Sequence, residues 1–227
     1  MNTSIIHQAR TKIRVLIVDD QTLLRRSLVT ILNPVADILV VSEATDAASS
    51  LAAARSLLPD VILMDIHLSN GSDGIEATRA ICSDAALRCT KVCMLTVFDD
   101  DASVFRALRA GASGYLLKDT PPEGVIDAVR TINAGRSLLS PGVLSTVIAH
   151  AHPAEVLSVP LSALTSRQTE VLRLVASGLS NDDIEERLGI SHSTLKSHMG
   201  ALLRRLGARD RAQLVIAAYE GGLMGTR

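Results

Sequence analysis

VILMD, residues 61–65, is an almost unbroken apolar run that ends on a carboxylate. A strand covered on both faces reads this way, because no side of it alternates toward solvent. Two other runs share the pattern. IRVLIV (13–18) is followed by Asp19 and Asp20, and KVCMLT (91–96) ends on Thr96. ILVVSEA (38–44) and GYLL (114–117) complete a set of five, with helix-length segments at 47–58, 75–83, 101–110 and 121–134 between them. Repeated strand–helix alternation predicts a doubly wound α/β fold, a five-stranded parallel sheet with right-handed crossovers.

Sheets of this kind carry their sites at the carboxyl ends of strands. Asp19 and Asp20 end the first strand, Asp65 the third and Thr96 the fourth, and Lys118 follows the fifth. Three carboxylates at one rim repel each other. A hard cation with oxygen ligands relieves that repulsion, and Mg²⁺ is its usual identity. A lysine and a hydroxyl nearby suit the oxygens of a phosphoryl group. The pattern predicts an aspartate that accepts phosphate, with Mg²⁺ offsetting charge and Lys118 closing the clamp. Each residue alone has a plainer reading: Asp20 as a helix N-cap, Lys118 as a solvated loop residue, Thr96 as a strand end. Their conjunction at successive unit ends favours the site.

From residue 162 onward the strands vanish. Leu164, Val171, Leu172, Leu174 and Val175 recur at helical spacing, as do Ile184, Leu188 and Ile190. Leu195, Met199, Leu202, Leu203 and Leu206 form a third stripe, and Leu214, Val215, Ala218 and Tyr219 a fourth. Four short helices make a compact all-α module. Ser180 before Asn181, Asp182 and Asp183 suits a helix start. Gly189 ends that helix with a tight turn. Ser191 or Ser193 caps the next helix, which presents Thr194, Lys196, Ser197, His198 and Gly200 outward. Glu170 is expected in an internal capping or ionic contact. Between the two modules, Pro141, Pro153 and Pro160 punctuate a stretch with a short helix at 137–149 and linker at 150–161.

The bulk properties agree. Hydrophobic residues make up 47% of the 227, enough to build real cores. No apolar stretch reaches the ~18 residues of a membrane span, and residues 1–14 lack the pattern of a signal peptide, so the expected location is cytoplasmic and no membrane is an expected partner. Cys82, Cys89 and Cys93 are odd in number and form no disulfide framework. Cys89 and Cys93 lack a second pair for zinc, and His150 and His152 stand alone in the linker. The net charge of −1 divides into −3 over residues 1–160 and +2 over 161–227. An acidic ion site followed by a DNA module fits that direction. Aromatic content of 2% disfavours a base-stacking single-strand binder.

VLIVDDQTLLRRSL, VILMDIHL…DGIEATR, CMLTVFDDD and FRALRAGASGYLLKD together resemble the receiver domain of bacterial response regulators over 12–135. The stretch from Leu164 to Leu223 resembles the LuxR-type helix-turn-helix tail. Both together resemble the NarL/FixJ group. The resemblance implies a flavodoxin-like receiver (12–135), a linker (136–161) and a DNA-binding domain (162–227). It implies Asp65 as phosphoacceptor, Mg²⁺ at Asp20 and Asp65 with Asp19 assisting, and the His67 backbone carbonyl as a third protein ligand. Thr96 is implied as switch hydroxyl and Tyr115 as switch aromatic. Thr194, Lys196 and Ser197 are implied at the DNA, with Arg205 and Arg209 on phosphates. A sensor histidine kinase, double-stranded DNA, a second copy of the chain and RNA polymerase are the implied partners.

One departure stands out. Ser69 occupies the place of the family's usual proline, and Asp73-Gly74 comes one residue late. Asn70-Gly71 can supply a turn with positive φ. The longer loop motivates an alternative: a phosphorylation-independent transcription factor of the same fold. A phosphatase acting through an aspartyl-phosphate needs a second aspartate at 67, where His67 stands. A pure scaffold does not need the Lys196–Arg205 helix.

Overall fold

The computed structural model describes residues 12–97, 101–136, 161 and 164–224. Residues 137–160, with the expected short helix, most of the linker, His150 and His152, lie outside them.

Five strands form: β1 (Ile13–Val18), β2 (Ile38–Ala44), β3 (Val61–Asp65), β4 (Lys91–Thr96) and β5 (Gly114–Leu117). Each coincides with a run read from the sequence. Their order is β2-β1-β3-β4-β5, and β1 pairs in parallel with β2 and β3, as β3 does with β4. This is the flavodoxin-like order, in which the chain changes direction across the sheet between β1 and β3. The ligand crevice lies there, outside the carboxyl ends. Val15–Val18 on β1 and Val61–Met64 on β3 are all 0% exposed, which explains their continuous apolar character. Burial on this scale contributes roughly 1.5–3 kcal/mol per large side chain.

Nine helices are described: α1 (Thr22–Leu32), α2 (Ala47–Leu57), α3 (Gly74–Ser83), α4 (Asp101–Arg109), α5 (Pro122–Asn133), α6 (Ser166–Ala176), α7 (Asn181–Leu188), α8 (His192–Leu206) and α9 (Arg211–Glu220). Their starts follow local chemistry. Asp46 accepts from the Ser49 amide to cap α2, and Asp73 accepts from Ile75 to cap α3. Pro122 opens α5, where its missing N–H costs nothing. Contacts group the described residues into two compact units, 12–97 with 116–134, and 101–115 with 135–136, 161 and 164–224.

In the first unit α1, α2, α3 and α5 cover the sheet. In the second, α9 packs on α6, α8 and α4. The Gln213 amide donates to the carbonyls of Leu108 (2.9 Å) and Ala112 (3.2 Å). The Asp210 carboxylate caps α9 through the Gln213 amide and accepts the Ser113 hydroxyl at 2.5 Å. The tail core holds Val171, Leu172, Val175, Ile184, Leu195, Leu202, Leu214, Val215 and Ala218. Leu174, Leu188, Met199, Leu203 and Leu206, expected in the same stripes, are only half-buried. So small a module buries only the centre of each stripe. No helix among the described residues is long and apolar enough to cross a membrane.

Candidate functional site

β1 and β3 lie side by side, so their ends bring Asp19, Asp20 and Asp65 to one point of the rim. One carboxylate oxygen from each lies within 4.8 Å of the others. Asp19 and Asp65 are buried and Asp20 is exposed. One Asp19 oxygen accepts the Gln21 amide at 2.7 Å, which holds the turn into α1. Lys118 reaches in from the end of β5. Its ammonium stands 2.8 Å from Asp19 and 2.8 Å from Asp65. Its backbone N–H donates to the Thr96 carbonyl at 2.7 Å, which ties the fourth and fifth strand ends together. Thr96 is buried at the end of β4, and Tyr115 is buried in β5.

The electrostatics follow from burial. Desolvation pushes the Asp65 carboxyl above its ordinary value, against the hydrogen bond and charge of Lys118, which pull it down. The Asp19 charge adds to the rise, and the His67 amide opposes it. Burial pushes Lys118 down, but its bonds to Asp19 and Asp65 outweigh burial and hold it above the ordinary value. Three carboxylates face one ammonium, leaving an excess of negative charge on oxygen donors alone. That donor set suits a hard cation. It is an acidic pocket of the kind with which receiver domains bind Mg²⁺.

The loop after Asp65 is tied in place. His67 is exposed, and its backbone bridges Asp73. A single 3-10 turn, Ser69–Gly71, fills the extra length with Asn70 at φ 60° and Gly71 at φ 70°, the positive angles expected of that pair. The Ser69 hydroxyl donates to the Thr45 carbonyl at 2.9 Å. These bonds anchor the middle of the added length.

Two further residues steady the pocket: Gly74, read from the sequence only as part of the late Asp-Gly pair, and Arg25, not read from it at all. A Cβ on Gly74 would stand 1.8 Å from the Asp65 carbonyl oxygen, so only glycine lets α3 start against the strand end. Asp-Gly at a helix start was the available signal. Arg25 donates to the Asp19 carbonyl at 2.8 Å and to Glu43 at 2.9 Å. Asp19 lies only six residues before it, but Glu43 arrives through tertiary structure, so no local pattern marks the pair of contacts.

In the second unit, Ser180 and Asp183 form a reciprocal capping box at the start of α7. Gly189 ends α7 in the left-handed conformation at φ 60°. Ser191, rather than Ser193, caps α8 by accepting from the Thr194 amide. Leu195 and Leu202 hold α8 to the core, while Thr194, Lys196, Ser197 and Arg205 are exposed and Arg209 is half-buried. His192 at the first turn of α8 bonds Glu185 of α7 at 2.8 Å. Glu170 pairs with Arg167 at 2.7 Å, the expected ionic contact.

Known proteins match both halves. Residues 15–130 match the response regulator receiver domain, and 162–218 match the luxR family of bacterial regulatory proteins. The transcriptional regulatory protein YxjL of Bacillus subtilis (strain 168) is 41% identical over 221 residues, 95% of this chain and 99% of that one. The response regulator protein VraR of Staphylococcus aureus (strain NCTC 8325 / PS 47) is 39% identical over 93% of this chain and 99% of its own. A crystal structure of the response regulator ChrA, of a heme-sensing two-component system, aligns with TM-score 0.50 at 34% identity, covering 94% of this chain and 99% of that one. The chain belongs to the two-component response regulators, with a receiver domain and a LuxR-type helix-turn-helix domain that regulates transcription.

Proposed function

We propose that Asp65 is the phosphoacceptor and that its phosphorylation by a sensor histidine kinase controls dimerisation and sequence-specific binding to double-stranded DNA. The observation that carries this is Lys118, 2.8 Å from both Asp19 and Asp65 at the rim where three carboxylates meet. Asp20 and Asp65, with Asp19 assisting and the His67 carbonyl as backbone ligand, are the residues to hold Mg²⁺. When bound, the ion offsets charge on the phosphoryl oxygens. In the transfer, an Asp65 carboxylate oxygen bonds to phosphorus as the phosphorus–nitrogen bond of the kinase phosphohistidine breaks. The imidazole keeps the electron pair.

The added charge of about −1.5 to −2 draws Lys118 and the Thr96 hydroxyl onto the phosphoryl oxygens. Tyr115 follows as the switch aromatic. The population shifts toward the dimer, whose two recognition helices read paired half-sites. Lys196 and Ser197 meet base edges, Thr194 meets the DNA beside them, and Arg205 and Arg209 meet phosphates. The domains run 12–135 and 162–227 with a linker between, RNA polymerase is a further partner, and the setting is cytoplasmic.

The full chain incubated with Mg²⁺ and acetyl phosphate tests this. Intact mass should rise by one phosphoryl group, and dimer fraction and DNA affinity should rise with it, while Asp65→Asn shows none of the three. Native DNA affinity that neither phosphodonor nor Asp65→Ala changes would support the phosphorylation-independent alternative.

A further inference from the structure

Lys196, Ser197, Gly200 and Arg204 recur along α8 at intervals that place them on one side of the helix. Lys196, Ser197 and Arg204 are exposed, and Gly200 is partly so. Glycine is the poorest helix former after proline, and nothing within the fold requires it here. Gly200 is absent from the positive-φ glycines. A Cβ added to it would meet only the Arg204 Nη1, at 3.5 Å, an ordinary contact.

That neighbour gives the notch its meaning. Side chains on a helix lean toward its N-terminus, and Arg204 leans back a full turn. Its guanidinium lies where a side chain at 200 would begin, one turn from Lys196. A charge rooted near the end of the recognition helix is thereby carried to its middle. We infer that Arg204, lying across the Gly200 notch, is a specificity-determining base contact of this helix, and that the edge it reads is guanine. The planar guanidinium fork matches the two major-groove acceptors of guanine. A long side chain at 200 would displace it. The inference rests on the DNA-binding reading above and adds to it a residue that the exposed Lys196–Ser197 pair does not supply.

Selection of full-length protein on randomised duplex DNA, followed by titration of the preferred duplex at fixed salt, tests the inference. Arg204→Ala should lose preference for a G·C pair at one position of each half-site. Its affinity for the selected duplex should fall about tenfold to a hundredfold, with thermal melting unchanged because the side chain is exposed. Gly200→Leu should lose the same preference, and the double variant should lose little more. An unchanged consensus in Arg204→Ala, with all duplexes weakened alike and the salt slope reduced by about one, would show a phosphate contact and overturn the inference. A native chain that selects no sequence would overturn the DNA-binding reading itself, a result distinct from an unchanged consensus in the variant.

Discussion

The ion pairs of Lys118 and the hydrogen bond of His192 share one length but stand in different surroundings. Lys118 lies 2.8 Å from Asp19 and from Asp65, and His192 lies 2.8 Å from Glu185. The Lys118, Asp19 and Asp65 side chains are 8%, 0% and 5% exposed, whereas His192 is 72% exposed and Glu185 20%. Coulomb attraction at fixed distance grows as the local dielectric falls, and so does the cost of leaving a partner unpaired. The pocket is therefore a charge arrangement whose state matters to the whole unit. The helix face is solvated and reads its target by contact. A receiver must register added charge and a recognition helix must present side chains to an external surface, so each environment suits its task.

The largest effect is expected at Lys118. Replacing it with alanine leaves two buried carboxylates without their cation, and a loss of about 3–5 kcal/mol is expected in urea unfolding without metal. Mg²⁺ should restore part of it, because a ligand bound only by the native state stabilises that state. A variant as stable as the native chain would mean that burial does not govern this pair. The pH dependence has a definite sign. The fold holds the Lys118 ammonium above its ordinary value of 10.5. Its stabilisation is then full below that value and lost as pH rises through the folded value. An alkaline unfolding transition that is the same in Lys118→Ala and the native chain would count against this assignment.

The next effect is steric. In Gly74→Ala the new Cβ meets the Asp65 carbonyl at 1.8 Å, so either α3 or the end of β3 must move. About 1–3 kcal/mol of destabilisation is expected, with slower phosphoryl uptake from acetyl phosphate because Asp65 moves with its strand. Unfolding and uptake both matching the native chain would show that the start of α3 yields freely.

The sheet was legible in the sequence for the reason the pocket is sensitive. β1, β3 and β4, covered on both faces, cannot hide their composition, and the more exposed runs of β2 and β5 coincide with observed strands as well. The acidic cluster was legible because strand ends are topologically fixed sites. Helix edges were less so. α3 begins at Gly74, one residue before the segment read from periodicity, because Asp73 caps it. α1 buries only Leu28 and Leu32, too few for a clear stripe. The Arg25–Glu43 contact and the Thr45 anchor of the loop join residues 18 and 24 positions apart, beyond the reach of any local pattern. In the tail, Ser191 and Ser193 offered equal caps by residue type. Backbone geometry chose Ser191, whose hydroxyl also lies 2.9 Å from those of Ser193 and Thr194.

The cap sets the scale for smaller effects. Ser191→Ala removes the side-chain acceptor at the first turn of α8, at a cost of about 1 kcal/mol. Because Thr194, Lys196 and Ser197 occupy that turn and the next, DNA affinity should fall along with thermal stability. Retained affinity at lowered stability would separate the cap from the reading surface.

The smallest effect belongs to the exposed pair. Glu185→Gln keeps the shape of the side chain and removes its charge. His192 is mostly in solvent, so the change should cost under about 1 kcal/mol. The pair joins α7 to the first turn of α8, so a mechanical role would appear as altered sequence preference even where stability is untouched. Unchanged preference with a slight loss of stability is the outcome expected of a solvated hydrogen bond. A loss near that of Lys118→Ala would mean that exposure does not separate these two equal distances.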